Sequence, residues 1–386
     1  MSAVKRFLFI THVGDPGGAE FTMIPICQAL GARAEVLLLE HGSLQRILTQ
    51  HGIAHRVEPL GATAGSVRRA GGLASLLAAV PASLRMVRRL AHAARRVDVV
   101  VCFSLKAFVL ATLAKPFARR PIVWFMNDIL STDHFSRAAI GLLVALSWIG
   151  ADRVALCSRE SLRAWRAAGG RRQGVSVVHS GIDLAQVARQ LSDPQRIRDF
   201  RERLRGSRPA LIGMFGRLSP WKGQDVFLRA LAELPEAQGV IVGGALSGDQ
   251  EYARELRDLA RSLGVAERVS FIGHVDDPLA YMAACDVVAH CSTAPEPWGR
   301  VIVEAMLAGT PVVASNAGGV PEFVLPDETG QLTPLSDHRA LAAALRRYLA
   351  DPEWSRGIAT RALHFAEQNF SSAATWQGFQ RAVAEL

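Results

Sequence analysis

Pro295-Glu296-Pro297-Trp298-Gly299-Arg300-Val301-Ile302-Val303-Glu304-Ala305-Met306-Leu307-Ala308-Gly309-Thr310-Pro311-Val312-Val313-Ala314 reads as three elements in one run. A proline-rich loop ends at Gly299, a helix of about three turns follows, and Gly309-Thr310-Pro311 stops it before an apolar strand. The start of such a helix is a site for anions. The amide N–H groups from Gly299 to Ile302 are expected to be free for phosphate oxygens, and Gly299 lets a ligand approach the backbone closely. Glu296 in the loop and Glu304 on the helix bracket this feature, with seven residues between them.

Outward from this run, short apolar strands alternate with longer stretches of helical periodicity, the pattern of a parallel sheet covered by helices. Strands are predicted at Ala210–Phe215, Gly239–Val242, Val269–Ile272, Val287–His290 and Val312–Ala314. The first half shows the same alternation at Arg6–Thr11, Ala34–Leu39, Val97–Phe103, Ile122–Phe125, Arg153–Leu156 and Val175–His179. A chain of 386 residues exceeds one ordinary core. Two domains are therefore expected, with the boundary at the turn signal His179-Ser180-Gly181-Ile182-Asp183.

A second constellation is Phe215-Gly216-Arg217-Leu218-Ser219-Pro220-Trp221-Lys222-Gly223, directly after a strand. A third opens the chain, where Gly14-Asp15-Pro16-Gly17-Gly18 joins the first strand to a helix, and Gly17 and Gly18 permit close backbone approach. Gly318-Gly319-Val320-Pro321-Glu322 is a further loop after a strand, with Glu322 read equally as a helix cap or a functional residue.

Together these stretches resemble the family 4 retaining glycosyltransferases, with the Glu, seven residues, Glu motif, the Gly-Thr-Pro-Val-Val continuation, the Gly-Arg-Leu then Lys-Gly signature and the Gly-Gly-x-Glu loop. The resemblance implies an α/β fold of two Rossmann-like domains (GT-B) facing across a cleft. Residues 1–180 would bind the acceptor, 181–365 the nucleotide-sugar, and 366–386 would form a helix returning toward the first domain. It implies a hexosyltransferase that retains anomeric configuration, by same-face attack or through a covalent intermediate on Glu296. The donor would be a UDP- or GDP-hexose as substrate, with no cofactor and no metal, and the acceptor a glycan or lipid-linked molecule of cell-surface polysaccharide or glycolipid synthesis. Carried over residue by residue, Arg217 and Lys222 would grip the diphosphate, Glu296 would lie beside the donor sugar and Glu304 would hold the ribose hydroxyls. Gly17, Gly18, Gly216, Trp298, Gly299, Arg300 and Val301 would line the donor, and the loop carrying His274 would meet the base. One departure stands out. Asn127 occupies the place of a histidine common in relatives, and an amide carries no proton in the neutral range; His12 and His134 are the candidate substitutes. Two rival readings are a sugar-phosphate synthase with a soluble acceptor and a catalytically silent nucleotide-sugar-binding subunit.

Composition narrows the partners. The balance of 44 Lys+Arg against 35 Asp+Glu, net +9, favours anionic ligands. From Pro59 to Val97 there is no Asp or Glu, while Arg68, Arg69, Arg85, Arg88, Arg89, Arg95 and Arg96 interrupt an apolar stretch. An amphipathic helix with a cationic face is predicted there, suited to an anionic membrane surface. The basic stretch lacks interleaved aromatics and no zinc or recognition-helix motif accompanies it, so nucleic acid is not expected. The turn after the first strand is not Gly-x-Gly-x-x-Gly, which argues against a nicotinamide dehydrogenase. Five cysteines without Cys-x-x-Cys spacing, an N-terminus without a signal-peptide pattern, and uncharged stretches shorter than the roughly 20 residues of a membrane span predict a cytoplasmic protein, peripheral on the cytoplasmic membrane face.

Overall fold

The computed structural model describes residues 5–60, 73–245, 250–384 and 386, with 73–83 as backbone only. Arg68 and Arg69 of the basic stretch lie outside the described residues. The chain divides into two compact units, one of residues 1–181 with 372–386 and the other of 182–371.

The first unit is built on a parallel seven-stranded sheet of order β3-β2-β1-β4-β5-β6-β7. Its strands are β1 Phe7–Thr11, β2 Ala34–Leu38, β3 His55–Val57, β4 Val99–Cys102, β5 Ile122–Met126, β6 Arg153–Leu156 and β7 Val175–Val177. Alternate residues of β1 point to opposite faces, and both faces are covered. Leu8 and Ile10 join a core with Phe108 and Trp124, whereas Phe7 and Phe9 join one with Phe103 and Phe125. The helix Ser372–Val383 belongs to this unit because Phe379 seats its ring 5.7 Å from Phe7 and 6.0 Å from Phe9. The chain returns at Ser372, six residues later than 366, because the preceding helix Pro352–Asn369 stays with the second unit through Ile358 and Ala362.

The second unit repeats the design with a parallel six-stranded sheet of order β10-β9-β8-β11-β12-β13. Here β8 is Ala210–Phe215, β9 Ala237–Val242, β10 Val269–Gly273, β11 Val287–His290, β12 Val312–Ser315 and β13 Gln331–Thr333. The edge strands β3 and β13 were not predicted. Each is three residues of mixed polarity, His-Arg-Val and Gln-Leu-Thr, and such strands carry no apolar run to read. In both sheets the strand order reverses beside the first strand of the unit, between β1 and β4 and between β8 and β11. Loops leaving neighbouring strands in opposite directions at such a point open a crevice at the carboxyl ends.

Candidate active site

In the second unit the loops that follow β8, β9, β11 and β12 meet through their glycines. Gly216 and Gly243 take φ of +137° and +153°, and a Cβ on Gly243 would stand 1.9 Å from the Gly216 carbonyl oxygen. Gly223, at φ +73°, leaves no room for a Cβ against the Cys291 carbonyl, 2.0 Å away. Gly318, at φ +67°, presses in the same way on the backbone of Glu296, whose carbonyl oxygen accepts from Gly319 N at 2.8 Å. Only glycine allows these approaches, so the loops form one backbone-packed rim.

Across the switch point, the loop after β8 supplies Lys222 and the loop after β11 supplies Glu296, with Lys222 Nζ 2.7 Å from Glu296 Oε2. The same oxygen accepts from Ser292 Oγ at 2.9 Å and lies 3.3 Å from His290 Nε2, which donates in its Nε2-protonated tautomer. Burial pushes the Glu296 carboxyl up, but the Lys222 ammonium and His290 outweigh it and hold the group well below the usual carboxylate range. The Lys222 ammonium also sits 4.1 Å from the centre of the Trp221 ring.

Glycine also shapes the helix that follows. Gly299 caps it at φ +88°, and the helix runs Arg300–Leu307, eight residues rather than three turns, because Ala308 and Gly309 end it. Ile302 N donates to Gly299 O at 3.0 Å in the first turn, so its amide is not among the free donors that the sequence led us to expect. On the helix, Arg300 Nε bonds Glu304 Oε1 at 2.9 Å. Burial raises the Glu304 carboxyl above its ordinary value, opposed by the charge of Arg300.

Arg217 is exposed beside this rim, and its carbonyl accepts from the buried Gln224 Nε2 at 3.0 Å. His274 is exposed after β10, 3.6 Å from Asp276, and its Cβ is 3.5 Å from where a Cβ of Gly244 would be. Trp298 turns inward, with its ring 4.7 Å from Phe323 and 4.9 Å from Phe370. A donor would therefore meet its backbone and not its indole. The remaining candidates, Gly17, Gly18 and Asn127, belong to the first unit. There Glu20 ties down the glycine loop by accepting from Gly17 N at 3.0 Å and Thr11 Oγ1 at 2.9 Å. Asn127 Nδ2 donates back to Phe125 O at 3.3 Å. The His12 backbone amide donates to Ser104 Oγ at 3.1 Å, and burial together with Lys106 lowers its imidazole to about 4, so it is neutral at pH 7.

Residues 16–186 match Glycosyltransferase Family 4, and residues 195–364 match Glycosyl transferases group 1. HepE of Anabaena, solved in complex with UDP and glucose, is 36% identical over 99% of this chain and 100% of its own, with a TM-score of 0.89. The chain belongs to the GT-B glycosyltransferases of group 1. This glycosyltransferase is also 34% identical to the GDP-mannose-dependent alpha-(1-6)-phosphatidylinositol monomannoside mannosyltransferase of Mycolicibacterium smegmatis, over 71% of this chain and 72% of that one. The D-inositol 3-phosphate glycosyltransferase of Mycolicibacterium gilvum is 36% identical over 55% of this chain and 47% of its own. The protein is thus a nucleotide-sugar-dependent transferase. Sequence reading passed over His290 and Ser292, although a polar residue at the carboxyl end of a central parallel strand, beside the switch point, is a usable signal.

Proposed function

We propose that this glycosyltransferase moves a hexose, with retention, from UDP-glucose or a close UDP-hexose to a glycan or lipid-linked acceptor. The observation that carries the donor assignment is the full-length likeness to a 36% identical chain solved with UDP and glucose and, separately, with UDP-glucose. The GDP-mannose-dependent relative covers less of the chain, which makes GDP-mannose the second choice.

The geometry supports a division of labour. Departure of the nucleoside diphosphate builds negative charge on a phosphate oxygen. Lys222 is fixed beside Glu296, Arg217 is exposed earlier on the same loop, and the helix at Arg300 presents its amino end, so three positive features neutralise that charge in place. Glu304, with one oxygen held by Arg300, offers the other to the ribose hydroxyls. Glu296 carries three donors on Oε2, which draw charge from the carboxylate and make it a poor nucleophile. That favours same-face attack, with a donor phosphate oxygen taking the acceptor proton, over a covalent sugar on Glu296. Among the described residues no helix is long and apolar enough to cross a membrane. The arginines from Arg85 to Arg96 give a lipid-linked acceptor an anionic-surface route to the enzyme.

The test is thermal-shift titration with UDP, GDP and ADP and their hexose conjugates, repeated on Arg217→Ala and Glu304→Ala. A shift selective for the uridine compounds, lost in both variants, supports the reading. A shift with guanosine compounds alone replaces the donor, and none with any nucleotide removes the assigned site.

A further inference from the structure

Beyond Arg137, the outward face of helix Arg137–Gly150 carries no charged side chain. Ala138, Gly141, Leu142, Ala145, Trp148 and Ile149 are all exposed, at the spacing of one helical face. Ile149 is 73% exposed and Leu142 61%. Water-facing stripes of this kind cost free energy and mark a surface that works while covered.

The face does not stand alone. Helix Leu105–Ala118 packs beside it, with Lys115 Nζ bonding Gly150 O at 2.9 Å, and adds the exposed Leu113 and Phe117. On the other flank of Leu105–Ala118 lies helix Leu73–Ala94, joined where Arg95 Nε donates to Phe117 O at 3.0 Å. Leu84 is exposed there. Six of the eight strongly exposed large hydrophobic residues among the described residues thus fall on three adjacent helices. No Asp or Glu occurs in any of the three. The exposed charged residues on and directly after the three helices are arginines, Arg85, Arg88, Arg89, Arg95, Arg96, Arg119 and Arg137, and Asp133 is an exposed acidic residue in the loop before Arg137.

We infer that this three-helix face is a membrane-docking surface that inserts Phe117, Leu142, Trp148 and Ile149 into an anionic bilayer, with the surrounding arginines on lipid phosphates. Charge decides between a bilayer and a second copy of the chain. A two-fold interface would set the same arginines against themselves with no acidic residue on the three helices to receive them and Asp133 alone beside Arg137 in the adjoining loop, whereas anionic headgroups receive both the arginines and, beneath them, the apolar side chains. The docking element differs from the arginine helix singled out in the sequence, which supplies the rim and not the inserted face. It stands independently of the donor assignment, because its readout is lipid binding and not transfer.

The experiment uses the full chain with vesicles of phosphatidylcholine alone and of phosphatidylcholine mixed with phosphatidylglycerol. Co-sedimentation with the mixed vesicles only is expected, together with a blue shift in Trp148 emission read as the difference between the parent and Trp148→Phe. Ile149→Glu and Phe117→Glu are each expected to weaken vesicle binding about tenfold or more, the weight of one buried large side chain, while leaving the UDP thermal shift unchanged. Absence of sedimentation with anionic vesicles at low salt overturns the inference. So does sedimentation with unaltered Trp148 emission, and so does a concentration-dependent dimer, abolished by Ile149→Glu, that binds no lipid.

Discussion

Lys222 and Glu296 are 74 residues apart in sequence, yet the Nζ of one lies 2.7 Å from the Oε2 of the other. The pair spans the point where the second sheet reverses its strand order, so it senses the placement of both flanking loops. Removing the lysine leaves a buried carboxylate with only Ser292 and His290 to hold it. Lys222→Ala is expected to destabilise the protein by roughly 3 kcal/mol at neutral pH and to lower kcat by about two to three orders of magnitude. Glu296→Gln, which removes the buried charge as well, should cost less stability than Lys222→Ala. Denaturant unfolding of both variants checks this ordering; a less stable Glu296→Gln would mean that the pair is not the main support of the loop.

Ser292 is the second donor to Glu296 Oε2, at 2.9 Å. Ser292→Ala keeps the lysine contact and removes one hydrogen bond to a charged group, a loss of about 1.5–3 kcal/mol. The expected kinetic effect is a fall in kcat with little change in the UDP thermal shift, because the hydroxyl is buried against the Glu296 carboxylate. A lost UDP shift with unchanged kcat would reverse that assignment.

Gly318 and Gly309 separate crowding from conformation. Both have positive φ, +67° and +72°, but a Cβ on Gly318 would lie 2.0 Å from the Glu296 carbonyl oxygen and one on Gly309 would meet nothing within 4 Å. Gly309→Ala should therefore cost about 1–2 kcal/mol, the left-handed backbone penalty alone. Gly318→Ala should cost more and also reduce transfer, since Glu296 must move. Equal melting temperatures for the two would show that the loop yields freely.

Acid should weaken the protein through two histidines. Burial, with Lys106 beside His12 and Arg159 beside His179, lowers each imidazole from 6.5 to about 4. Between those values the unfolded chain takes up protons that the folded chain refuses, so stability falls as pH drops through that window. Glu20 and Glu304, raised by burial, act in the opposite direction, so the measurement is a difference from the parent. The double variant His12→Gln, His179→Gln should lose less melting temperature than the parent between pH 7 and pH 5; an equal loss would place the acid sensitivity elsewhere.

Much was legible before any coordinates. The run from Pro295 to Ala314 announced loop, helix and strand because glycine and proline punctuate it and its apolar residues keep one period at a time. The two families of strands, the parallel sheets and the boundary region around Gly181 follow from the same local signals. The cations at Arg217 and Lys222 and the carboxylates at Glu296 and Glu304 were singled out by their places in motifs that resemble the family's. Other features were decided only in three dimensions. That Lys222 meets Glu296, that Ser292 and His290 share the same oxygen, and that the Trp298 ring turns into the core depend on loops from separate strands converging at the carboxyl ends of the central strands. Nor could composition tell which apolar helix face stays exposed: Ala138 to Gly150 reads like any buried helix, and only the packing of its neighbours leaves Leu142, Trp148 and Ile149 in water. Local sequence sets backbone conformation through short-range sterics and periodicity, whereas side-chain partners and exposure are set by distant segments whose distances the chain acquires only when it folds.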